Sequence, residues 1–158
     1  MAYYHTAQIC TNGHVITSYA DQYVEDRENF CSECGASTIM HCPNCSQPIK
    51  GRESEFGYIG DYDAPSYCHY CGTPYPWTAQ AIDATNELLE LEDLLSRDEL
   101  EYLSQNMSSI ISDTPKSKVV ATKLKLAMGK LSTNVASAIK DVVVDVASET
   151  AKKIILGE

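Results

Sequence analysis

The chain has 158 residues, enough for one or two small domains with a modest core. A formal charge of −10 argues against a phosphate-binding surface, and seven cysteines, an odd number, do not suit a closed disulfide framework. Residues 1–10 lack a basic segment followed by an apolar one, and the apolar-looking stretch at 135–156 is broken by Lys140, Asp141, Asp145, Glu149, Lys152 and Lys153. Neither a secretory signal nor a membrane span is expected, so the expected location is cytoplasmic. In that compartment thiols stay reduced, and clustered cysteines more often bind metal than pair.

All the cysteines fall between Cys10 and Cys71, in four groups: C10-T-N-G-H14, C31-S-E-C34-G, C42-P-N-C45 and C68-H-Y-C71-G. The second and fourth groups read as copies, each with an aromatic residue before the first cysteine (Phe30, Tyr67) and a glycine after the second (Gly35, Gly72). The first and third correspond through Cys10-Thr11-Asn12 and Cys42-Pro43-Asn44, except that His14 arrives one residue later than Cys45 does. A C-x-x-C turn holds two thiolates one metal-bonded edge apart, and its glycine supplies the positive φ that such a turn tends to need. Two turns at the tips of two hairpins complete a tetrahedron. Residues 15–19 are β-prone, and Gly57-Tyr58-Ile59-Gly60 has the composition of a short strand.

The expected ligands are Cys10, His14, Cys31 and Cys34 for one zinc ion and Cys42, Cys45, Cys68 and Cys71 for a second, giving two Zn2+ per chain. A cross-braced pairing is separated from this sequential one by very little loop entropy, about 0.6 kcal/mol per doubling of loop length. The repeat symmetry favours sequential pairing. His5 and His41 are the alternatives to His14, and His69, inside a knuckle, suits the surface. A redox C-x-x-C would need a βαβ setting, which is absent, and eight ligands for two ions leave no open catalytic position.

Nine of the ten tyrosines lie in the cysteine-rich half. Base stacking is one use for them, but that half has three Lys/Arg against nine Asp/Glu, so shielding of the metals is the better account for most. Tyr3, Tyr4 and Tyr62 are the candidates for contact with a partner. Thr73-Pro74-Tyr75-Pro76-Trp77-Thr78 then reads as a rigid joint, with Thr78 capping the next helix and Trp77 stapling it.

Beyond the joint the pattern is helical, over 79–95, over 97–111 behind a capping box at Ser96 and Glu99, and over 116–156 behind Thr114 and Pro115. The last stripe keeps its phase across Gly129 and Ser132-Thr133-Asn134, so one long helix and two helices broken near 129–134 fit equally well. Residues 78–114 hold one basic and nine acidic residues, whereas 115–158 hold eight and four. Opposite signs favour packing of these segments, within one chain or between two. The expected fold class is thus α+β: two tandem zinc ribbons over 1–77, then a helical hairpin or bundle over 78–158.

The motifs Q-I-C-x-N-G-H (Gln8 to His14), F-C-x-x-C-G-A (Phe30 to Ala36) and Y-C-x-x-C-G-x-P-Y-P-W (Tyr67 to Trp77) resemble a bacterial family of double zinc-ribbon proteins known as a domain of unknown function. The helical half is similar to that family's tail. The resemblance implies a bacterial cytosolic zinc protein and brings no activity with it. Once the ligands are set aside, no nucleophile–base or paired-carboxylate constellation remains. The expected role is therefore a non-catalytic adaptor with an unidentified protein partner, whose helical half docks or forms a homo-oligomer. Nucleic acid is disfavoured by charge. A zinc/thiol redox sensor and a membrane-perturbing tail are the remaining alternatives.

Overall fold

The computed structural model describes residues 3–55 and 61–157. The chain forms two compact units, Met1–Ala79 and Gln80–Glu158. It is mixed α+β, with small antiparallel sheets and the cysteine clusters first and helices after them.

Among the described residues the first unit has two sheets. One pairs β1 (Tyr4–Thr6) with β5 (Lys50–Glu53); the other runs in the order β3 (Val15–Thr17), β2 (Gln8–Cys10), β4 (Thr38–Ile39). Strands of two to four residues cannot enclose a conventional core. The main buried cluster is accordingly small: Ala7, Ile9 and Ile49, two cysteines (Cys42 and Cys68), and the stacked rings of Tyr75 and Trp77. The strand expected at 57–60 lies outside the described residues. Gln8 is buried and acts as a clamp. Its Nε2 donates to the Glu28 carbonyl (2.7 Å) and to Thr38 Oγ1 (2.8 Å), while its Oε1 accepts from the Glu28 N–H (3.1 Å).

Among the described residues six α-helices follow: α1 (Pro76–Glu90), α2 (Arg97–Asn106), α3 (Ser108–Ile111), α4 (Ser117–Met128), α5 (Thr133–Val144) and α6 (Glu149–Leu156). Helix α1 starts three residues earlier than the pattern suggests. Pro76 takes a first-turn position where its missing N–H costs nothing, so Thr78 is not a cap but a buried residue of the first turn, and Trp77 lies inside the helix. The expected capping box at Ser96 is present in both directions, from the Glu99 N–H to Ser96 Oγ and from the Ser96 N–H to Glu99 Oε1 (both 3.1 Å). Thr114 Oγ1 accepts from the Lys116 N–H, but Pro115 and Lys116 form a turn and α4 begins at Ser117.

The stripe over 116–156 folds as three helices. Gly129 and the Ser132 cap end α4 and start α5; a second break, absent from the pattern reading, precedes the Ser148 cap of α6. The Ser148 N–H donates to the Ile110 carbonyl (2.9 Å), which ties this break to α3. Helix α4 is central and packs against α2, α3, α5 and α6 through Val120, Ala121, Leu124 and Ala127. Among the described residues no helix is long and apolar enough to cross a membrane.

Gly51 fixes how closely the first unit's strands approach. A Cβ there would stand 2.5 Å from the Ser18 carbonyl oxygen and 2.7 Å from that of His5, both backbone atoms with no freedom to retreat. Gly51→Ala is expected to destabilise this unit by about 1–3 kcal/mol, the usual cost of overpacking. Denaturant unfolding followed by tyrosine fluorescence would measure it.

Candidate metal centres

Each C-x-x-C knuckle is built by the same hydrogen bonds. The residue four places after the first cysteine donates its N–H to that cysteine's carbonyl: Gly35 to Cys31 (2.7 Å), Ser46 to Cys42 (2.8 Å) and Gly72 to Cys68 (2.8 Å). The first cysteine's own N–H reaches forward to Ala36, Gln47 or Thr73 (2.8–2.9 Å). Flanking bridges close each loop, at Phe30 with Ser37, His41 with Pro48, and Tyr67 with Pro74. The turning residue has positive φ in all three, +75° at Gly35, +65° at Ser46 and +74° at Gly72. Open space surrounds the two glycines, so backbone conformation and not crowding requires them.

The first knuckle is one residue shorter. Its closing bond runs from the Cys10 N–H to the His14 carbonyl (3.0 Å), and Gly13, at φ +97°, makes the turn. Here space matters as well, since a Cβ on Gly13 would meet Trp77 Cβ at 3.0 Å. Trp77 Nε1 donates to the Pro65 carbonyl (2.9 Å), so one indole spans from the first knuckle to the segment leading into the fourth.

The knuckles converge in two groups, Cys10/His14/Cys31/Cys34 and Cys42/Cys45/Cys68/Cys71, with all ligand atoms of each group within 4.8 Å of one another. This is the sequential grouping. His14 presents Nδ1, at 3.4 Å from Cys10 Sγ and 3.6 Å from Cys31 Sγ; Cys10 and Cys34 sulfurs lie 3.7 Å apart. In the second group Cys42 and Cys71 are separated by 3.8 Å, and Cys45 and Cys68 by 3.6 Å. A tetrahedral zinc ion with bonds of about 2.3 Å to sulfur and about 2.0 Å to nitrogen needs edges of about 3.8 Å between sulfurs and about 3.5 Å between sulfur and nitrogen. Disulfides would need about 2.05 Å. The donor sets fit tetrahedral metal.

His5 and His41 take no part. His5 is buried against the Tyr19 ring and pairs with Asp21 (3.2 Å), and His41 lies exposed beside its bridge to Pro48. Burial opposes ionisation of Asp21, but the Thr6 N–H and His5 outweigh it and hold its carboxyl below the ordinary range. His69 is exposed and packs on Tyr70.

Two ligand-supporting residues carry no signal in a search for metal donors. Asn12 Nδ2 reaches Cys34 Sγ (3.4 Å), and Asn44 Nδ2 reaches Cys71 Sγ (3.5 Å). They occupy matching places in the repeat, two after Cys10 and two after Cys42, and each donates to the last cysteine of its own centre. The repeat alignment places them in register but does not by itself give them a role. Cys34 is held down to about 6 by the Ala36 N–H and then Asn12; Cys71 is held down to about 5 by the Thr73 hydroxyl and then Asn44. The Gln47 N–H favours the Cys45 thiolate, yet burial and the sulfurs of Cys68, Cys71 and Cys42 together push it up to about 12. Some thiols of a crowded set ionise readily and their neighbours then cannot, unless a cation shares the site; metal binding here must release protons.

Of the candidate partner contacts, Tyr3 and Tyr4 are exposed (57% and 52%). Lys50 Nζ stands 3.8 Å above the Tyr4 ring. Tyr62 differs: it is half-buried against the unit's core, and its hydroxyl donates to the Lys50 carbonyl. Burial raises its pKa, and it serves packing before contact.

Ser46 is the one knuckle-turning residue that pays a steric penalty for its left-handed conformation. Ser46→Gly is expected to stabilise the unit by about 1 kcal/mol, and Gly72→Ala to destabilise it by a similar amount, the cost of a Cβ in that region. Paired denaturation curves would show shifts of opposite sign.

No curated protein and no solved structure matches the chain. A family model does, over residues 3–155, and its description is "Uncharacterized protein conserved in bacteria (DUF2321)". The match takes in both Cys/His clusters and the helical unit, and on that extent the chain belongs to this bacterial family.

Proposed function

We propose that the chain is a non-catalytic, cytoplasmic zinc scaffold: two Zn2+ ions fold the first unit, which presents a surface to a protein partner, and the helical unit supplies docking or self-association. The observation that carries this reading is closure. Each centre offers four protein donors at tetrahedral spacing, whereas a catalytic zinc keeps one position for water or substrate. In such centres the ion adds fixed geometry and charge neutralisation. The residues do the remainder: Cys10, Cys31, Cys42 and Cys68 are buried and anchor each site, while Asn12 and Asn44 orient the exposed Cys34 and Cys71.

Exposed Tyr3 and Tyr4 support a protein-facing surface, since aromatic rings give contact area at low entropic cost. The acidic charge counts against nucleic acid. Seven thiolates with two divalent ions would make the chain more negative by a further three charges. A second reading, thiol-based sensing, draws on the exposure of Cys34 and Cys71.

Elemental analysis of protein purified without added metal should give about two zinc per chain, one for each closed site. One or none would sink the proposal. Asn44→Ala should weaken metal retention at the second centre by about tenfold or more, as loss of an outer-shell donor usually does; competition with a chromophoric chelator would read it. Retention of both ions under mild peroxide would exclude the sensing role. A mobility shift with single- or double-stranded nucleic acid should show no retardation at low salt.

A further inference from the structure

We propose that the helical unit associates head to tail with a second copy of this chain, the acidic corner at 90–94 of one copy seating in the groove between α2 and α4 of the next. This gives a specific contact to the self-association included in the function proposed above, and it stands or falls separately from the metal centres.

The groove encloses about 610 Å³ and is lined by Tyr102, Leu103, Leu126 and Ala127, with Lys123 and Lys130 at its rim. Its floor is apolar and the α4 side of its rim is basic. Residues 115–130 hold five lysines and no acid in a chain of net charge −10, and all five lysines are exposed. Two acids also border the groove, Asp98 and Glu99; Glu99 is already paired with Lys130 (2.7 Å). Lys123 Nζ lies over the Tyr102 ring (3.9 Å), which leaves its charge available to a second partner. Leu126 is 66% exposed, an unusual state for a leucine beside a groove of this size.

The complementary surface is present on the same chain. Among the described residues of the helical unit, the exposed large apolar side chains are Leu91, Leu94, Val119 and Leu126. The first two belong to the corner Glu90-Leu91-Glu92-Asp93-Leu94, which carries three carboxylates around two leucines. This corner is already shaped. Asp93 takes a left-handed φ of +53°, its N–H donates to the Glu90 carbonyl (3.2 Å), and Glu92 Oε1 accepts from the Ser132 N–H (2.8 Å). A preformed knob loses little freedom on binding.

Corner and groove use different sides of α2. Asp98, Tyr102 and Leu103 face the groove, whereas Arg97, Leu100, Glu101 and Ser104 border a separate depression shared with Glu90 and Asp93. The contact is therefore heterologous, one surface meeting a different one, and it propagates into rings or chains. An anionic membrane is the other surface that would attract α4, but the chain's overall negative charge repels it.

The experiment is sedimentation velocity on the full-length, zinc-loaded protein over a range of concentrations, with zinc content measured on the same samples. Wild type should grow beyond a dimer as concentration rises, and less so at high salt. Leu126→Glu blocks the groove, and Leu91→Ser with Leu94→Ser blunts the corner; each should weaken association at least about tenfold, since hot-spot side chains dominate such contacts. An equimolar mixture of the two variants should restore a dimer and nothing larger, because one intact corner and one intact groove remain. If Leu126→Glu fails to fold by circular dichroism, Lys123→Glu at the rim replaces it. A monomeric wild type, variants that associate like wild type, or a mixture that stays monomeric would overturn the proposal. Binding of monomeric protein to phosphatidylserine vesicles would overturn it in favour of a lipid surface. Normal zinc content in a monomer would leave the scaffold reading standing.

Discussion

Everything in the first unit depends on bringing four sulfur or nitrogen donors within a tetrahedral edge of one another, twice. Strands of two to four residues and a core of a few side chains cannot hold the chain by burial alone. Thiolates at 3.6–3.8 Å repel each other in the absence of a cation. The knuckle hydrogen bonds resolve part of this conflict by donating backbone N–H groups toward sulfur, as at His14 to Cys10 (3.3 Å) and Tyr70 to Cys68 (3.4 Å). Asn12 and Asn44 continue the same work from side chains. A metal ion held by each donor set would supply the remainder, which would make metal and fold one cooperative unit.

The sites were legible in the sequence because metal chemistry imposes spacing and spacing survives in one dimension. The grouping of donors needed the repeat, and the repeat also marks Asn12 and Asn44, whose amides no donor search would notice. Ser46 was hidden, since serine gives no sign of a left-handed turn; only its alignment with Gly35 and Gly72 exposes it. Tyr62 looked like any other tyrosine near an acidic loop, and its burial depends on the Lys50 carbonyl contributed by a distant strand.

The helical half shows a different limit. Apolar residues at a helical period over 116–156 specify which face is buried but not where the backbone breaks. Each connection between α4, α5 and α6 returns the chain to the core in phase, from Leu131 to Ile139 and from Val143 to Ala151, so the stripe passes through both. The signals for the breaks are local: Ser132 and Ser148 each accept an N–H three residues on. Thr78 shows the reverse error, a capping residue type placed where Pro76 had already started the helix.

The shortened first knuckle makes the two centres chemically unequal. By replacing a fourth thiolate with His14 Nδ1, it leaves the first centre one negative charge poorer than the second for the same divalent ion. Two such sites do not share scarce metal evenly, nor give it up at the same acidity, since imidazole and thiolate compete with protons on different scales. With metal at both centres, the first unit would have a half-loaded form between empty and full. A hydrogen-bonded loop one residue tighter and one exchanged ligand would be enough to separate those states.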